Sequence, residues 1–88
     1  MRLNGEFIVR QVADEVLALP TGDTALKLNG MIMLNEVSLV IWKCLEHDTD
    51  MASIVQAVTE QFDVSAAQAQ VDIEAFVDQL RKANLLIE

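Results

Sequence analysis

The chain has 88 residues, enough for one hydrophobic core over residues 1–88 and too few for a second. Apolar side chains make up 52% of it, above the globular norm, so folding is expected without metal or disulfide staples. A formal charge of -8 repels a phosphate backbone and an anionic lipid surface alike, and favours a neutral or basic partner.

The amino-terminal stretch Met1 to Glu15 has only a short apolar run with charges on both sides, so no signal peptide is expected. No 18 apolar residues follow one another, as a membrane-spanning helix would need. Phe7 to Val12 and Val16 to Leu19 are β-branched and apolar runs joined by Ala13-Asp14-Glu15, which predicts a β-hairpin. Pro20-Thr21-Gly22-Asp23 and then Asn29-Gly30 punctuate the chain before the apolar run Met31-Ile32-Met33-Leu34, read as a third strand. The alternative is a tight Asn29-Gly30 hairpin between Ala25 to Leu28 and Met31 to Leu34.

From Asn35 the apolar period changes from two to about 3.6. Asn35 is placed to cap a helix to about Glu46, with Glu36 in its first turn and Val37, Val40, Ile41, Cys44 and Leu45 as its apolar stripe. Trp42, the sole tryptophan, is read as a core anchor. A second helix is expected over about Met51 to Gln61, capped by Thr49 or Asp50, with Ile54, Val55, Val58 and Phe62 on one side. Ser65 followed by Gln68 is a capping-box pattern opening a third helix, where Ala69, Ile73, Phe76, Leu80 and Ala83 repeat at four-and-three spacing. Arg81 and Lys82 suit its last turn, and Leu85-Leu86-Ile87 should dock back on the core. The order predicts an α+β winged helix-turn-helix: a three-stranded antiparallel sheet followed by three helices.

Chemistry is sparse. Cys44 and His47 are the only cysteine and histidine, short of the three or four ligands that zinc needs, so no metal is expected. The lone Cys44 also excludes a disulfide framework and points to a reducing compartment, the cytoplasm. Inside an apolar run it makes a poor thiolate nucleophile, and the acidic residues are spread along helix faces with no acid and base pair. There is no phosphate loop, and no catalytic set or cofactor is expected. A helix-turn-helix DNA reader would show basic or amide side chains on its third helix, where this chain has Asp72, Glu74 and Asp78, so no nucleic acid is expected.

The sheet remains. Met31 to Leu34 carries no charge, proline or bulge signal, so as an edge it is unguarded and open to strand addition by a partner. Methionine's flexible side chain suits a surface that accepts related but unequal residues.

The run Gly30-Met31-Ile32-Met33-Leu34-Asn35, then Ile41-Trp42, Asp63-Val64, Asp72 to Val77 and Leu80 to Leu86, resembles the PqqD-like family in order and spacing. The resemblance covers nearly the whole chain. It implies a noncatalytic recognition element of ribosomally made, post-translationally modified peptide pathways. The leader segment of a precursor would add as a strand beside the third strand, in a cleft against the third helix. The domain would present it to a modifying enzyme, in many members a radical S-adenosylmethionine protein. Carried over, the peptide-binding residues are Met31, Ile32, Met33 and Leu34 on the strand and Ala69, Asp72, Ile73 and Phe76 on the helix. Ala69 would keep the cleft open, Phe76 would floor it, and Asp72 would meet a basic leader residue or a leader N–H. The connection Thr21 to Asn29 is longer than the tight turn of the quinone-synthesis members, which favours another peptide pathway and lets the wing reach the partner enzyme. Two alternatives stand beside this reading: a winged-helix DNA-binding regulator, and an assembly subunit dimerising through the same strand edge.

Overall fold

The structure, a computed structural model, describes every residue except Asn29. After a two-residue strand β1 (Arg2–Leu3), the chain forms the antiparallel hairpin β2 (Phe7–Val12) and β3 (Glu15–Pro20), with Val12 opposite Glu15. Ala13 opens the two-residue loop at φ 55°, the positive value that such tight hairpin loops require. The next strand, β4 (Ile32–Leu34), pairs antiparallel with β3, with Met33 opposite Leu17. The sheet order β2-β3-β4 therefore leaves β4 at an edge.

Between β3 and β4 lies a short helix, α1 (Gly22–Lys27), with Asp23 in its first turn and Lys27 in its last. The sequence predicts only a connection here, with three strands in succession, whereas a helix separates the second from the third. No residue of α1 is buried, so it has no apolar stripe from which a helical period could be read. Its presence also removes the alternative hairpin, since Ala25 to Lys27 are helical and β4 takes β3 as its partner. The Asn29-Gly30 turn itself lies outside the described residues at Asn29.

Three longer helices follow: α2 (Glu36–Leu45), α3 (Met51–Gln61) and α4 (Ala66–Lys82). Each begins where a short polar side chain satisfies an orphan amide. The Asn35 carboxamide oxygen accepts from Ser38 N at 2.8 Å, and Ser38 Oγ accepts in return from Asn35 N at 2.7 Å, a reciprocal capping box. Asp50 accepts from Ser53 N at 2.8 Å and Ser65 from Gln68 N at 3.1 Å. At the far end of α4, Asn84 adopts φ 64°. Leu85 N then donates to Leu80 O at 2.9 Å and Asn84 N to Arg81 O at 3.0 Å, the paired bonds of a Schellman turn. That turn sends the chain into β5 (Leu86–Ile87), which pairs antiparallel with β1 as a separate ribbon, Leu3 opposite Leu86.

The core lies between one face of the sheet and the helices. Ala18, Leu34, Ile41, Trp42, Leu45, Ile54, Val58, Ala69, Ile73, Val77, Leu80 and Leu85 form one buried cluster. Trp42 is 1% exposed and packs edge-to-face with Phe7 at a centroid distance of 5.1 Å and an interplanar angle of 89°, so the anchor is shared between helix and sheet. The inward stripe of α4 is Ala69, Ile73, Val77 and Leu80, whereas the four-and-three repeat had Phe76 and Ala83 in it. Phe76 is half-buried on the flank of that stripe, and Ala83, the C-cap residue just past the end of α4, is exposed. Among the described residues no helix is long and apolar enough to cross a membrane. The architecture is α+β, with a three-stranded antiparallel sheet and four helices.

Candidate functional site

Strand pairing dictates which side chains of β4 are available. Ile32 stands opposite Ala18 and Leu34 opposite Val16, all on the face that meets the helices. Leu34 is 5% exposed, so its side chain belongs to the core. Met33 points to the opposite face at 62% exposed, and Met31 just before the strand is also exposed. With β3 on one side and no strand on the other among the described residues, β4 presents a row of unpaired backbone groups.

The residue after β4, Asn35, lines a groove of about 410 Å³ between the start of α2 and the middle of α4. Val37, Ser38 and Ile41 line it from α2, and Asp72, Ala75, Phe76 and Gln79 from α4. The four α4 residues fall at i, i+3, i+4 and i+7, one face of the helix next to the core stripe. The groove is thus lined by apolar Val37, Ile41, Ala75 and Phe76 and by polar Asn35, Ser38, Asp72 and Gln79.

Of the residues singled out on α4, Asp72 and Phe76 line this groove and Ala69 and Ile73 do not. Both are 0% exposed inside the core, so the small side chain of Ala69 sets the packing of the core. Ala75 and Gln79 complete the wall. Neither carried a signal in the sequence, because a small residue and an amide on an exposed helix face read as ordinary solvated positions.

Asp72 accepts a hydrogen bond from the Gln68 amide at 3.0 Å. The cations of the same helix are committed elsewhere: Arg81 holds Glu88 at 2.8 Å and Asp78 at 3.6 Å, and Lys82 holds Asp78 at 3.1 Å. The Glu88 hydrogen bonds push the Arg81 guanidinium further up and hold the Glu88 carboxyl below its ordinary range. Among the described residues no basic side chain lines the groove, so Asp72 gives it an uncompensated negative charge.

A second concavity of about 540 Å³ lies between α2 and α3, lined by Leu39, Val40, Lys43, Cys44 and Phe62 among others. Burial pushes the Cys44 thiol up, which makes it less nucleophilic. No group of three or more potential metal ligands occurs among the described residues.

No curated protein matches this sequence. A solved structure, TbiB1 in complex with the TbiA(beta) leader peptide, superposes with a TM-score of 0.73 at 23% identity, covering 98% of this chain and 94% of that one. At that identity the likeness establishes the fold. The family model described as Coenzyme PQQ synthesis protein D (PqqD) matches residues 15–86, from the first residue of β3 to the first of β5. With the open strand and helix-walled groove both inside the matched span, the chain belongs to the PqqD family.

Proposed function

We propose that this chain binds the leader segment of a ribosomally made precursor peptide as a strand added to β4, and presents it to a modifying enzyme without any turnover of its own. The observation that carries the reading is the open edge of β4, which leads through Asn35 into the groove walled by α4. Membership of the PqqD family supports it, as does the fold shared with TbiB1, a protein solved with a leader peptide bound. In this reading the sheet and helices act as a winged helix-turn-helix domain of residues 1–88 whose wing and edge serve a peptide. The bound backbone takes the free hydrogen-bonding groups of Met31 to Leu34, and alternate side chains of the leader enter the groove at Asp72 and Phe76. Ala69 and Ile73 support that wall from beneath. The enzyme served is a radical S-adenosylmethionine protein, and the pairing takes place in the cytoplasm.

Titrating the cognate leader while following backbone amide signals tests the proposal. Shifts concentrated at Ile32 to Leu34 and on α4 from Asp72 to Gln79 are expected; signals that stay fixed at β4 would sink it. Met33→Pro gives an independent check. The Met33 side chain lies on the exposed face, so the change alters the ladder without removing a core side chain. We expect at least about tenfold weaker leader binding, a loss comparable with one or two hydrogen bonds. DNA binding is disfavoured by Asp72, Glu74 and Asp78 on the exposed side of α4.

A further inference from the structure

We infer that the peptide taken up at this groove carries an apolar side chain and a basic side chain two residues apart, and that Asp72 selects the basic one. The inference rests on the strand-addition reading and deepens it by naming the chemistry of the bound segment.

The geometry comes from matching two periods. Along α4 the groove wall runs from Asp72 to Gln79, about 10 Å at the helical rise, with Ala75 and Phe76 in its middle. Asp72 and Phe76 are one turn apart, about 6 Å along the axis. An extended peptide lying beside β4 turns every second side chain toward the same face, with those side chains about 7 Å apart. Where such a peptide runs along α4, one inward side chain can rest on Ile41, Ala75 and Phe76 while the next one along reaches Asp72. The spacing admits one intervening residue, whose side chain projects away from the groove on the side that Met33 occupies.

The chemistry comes from the lining. The middle of the wall is apolar, which rewards burial of an aliphatic or aromatic side chain. At Asp72 the carboxylate has one hydrogen bond, from Gln68, and forms none of the ion pairs found among the described residues. A lysine or arginine brought there makes a charge-assisted bond partly shielded by the groove, whereas a glutamate meets an uncompensated like charge. The net charge of -8 draws basic segments in from a distance, but it acts on any cationic peptide equally. Asp72 is what ties the preference to one position.

The test uses short synthetic peptides with a threonine and valine backbone, leucine at one inward position and lysine, arginine, glutamine or glutamate two residues before or after it. Binding by fluorescence anisotropy to the full chain is paired with amide shifts of Ile32 to Leu34. We expect lysine and arginine peptides to bind at least about tenfold more tightly than glutamate peptides. In Asp72→Lys, an exposed substitution outside the core, the order should reverse in favour of glutamate. A preference for lysine that survives Asp72→Lys unchanged would assign selectivity to net charge and overturn the inference. Equal binding of lysine and glutamate peptides, with the β4 amides shifting, would overturn it while leaving strand addition intact. If no peptide shifts those amides, both fail.

Discussion

Asn35 serves two structures at once, since its side chain caps α2 while the residue itself lines the groove. Replacing it by alanine should cost about 1 kcal/mol in a denaturant melt, the usual worth of a helix cap. Aspartate there should keep the cap and sharpen any preference for a basic ligand. The cap of α3 adds a pH signature. The Ser53 amide hydrogen bond holds the Asp50 carboxyl below its ordinary range, so its ionised form favours the fold. That contribution is present above about pH 3.9 and is lost as pH falls through the lower, folded-state value. Asp50→Asn keeps an acceptor without the titration, so its melting temperature should fall less steeply than the wild type's on acidification below about pH 4. Cys44 acts at the other end of the scale. Its raised pKa means that the neutral thiol favours the fold, fully below the ordinary thiol value of about 8.5 and progressively less as pH rises through the folded-state value.

At the level of elements, the exit from α4 is the most exacting turn. Asn84 sits at φ 64° between the helix and the ribbon, a conformation that asparagine and glycine tolerate and β-branched residues do not. Asn84→Val should destabilise by about 1–3 kcal/mol in chemical denaturation, with Asn84→Gly close to the wild type. The elements legible in the sequence were those whose signals are local. Asn35, Asp50 and Ser65 announced α2, α3 and α4 because a cap bonds an amide only three residues away. The β2-β3 hairpin was legible for the same reason. The ribbon was not, because Leu3 meets Leu86 across nearly the whole chain and each strand is two residues long. On the groove wall, Asp72 and Phe76 stood out by charge and size, whereas Ala69 and Ile73 belonged to the core. The difference between core stripe and groove face is a rotation of one residue, 100° around α4, which an apolar repeat alone does not resolve.

Across the whole molecule, the ion pairs among the described residues engage only Asp48, Asp78 and Glu88 of 14 acidic side chains, so self-repulsion should be relieved by salt. The melting temperature is expected to rise between about 0.01 and 0.15 M salt, as the screening length contracts to about 8 Å. Capture of a cationic peptide should weaken over the same range, and opposite salt responses of folding and binding would separate the two effects. The brevity of β4 bears on time as well as on strength. An edge of three residues offers an added strand about two to four backbone hydrogen bonds, each worth about 0.5–1.5 kcal/mol net. That sum, about 1–6 kcal/mol, reaches only the low end of the roughly 4–15 kcal/mol lost when two molecules give up independent motion. Under the strand-addition proposal, residence of a guest strand would be governed by the side chains it lodges beside α4, and a partner that withdrew those side chains would release the whole segment. Such an edge suits hand-over better than storage.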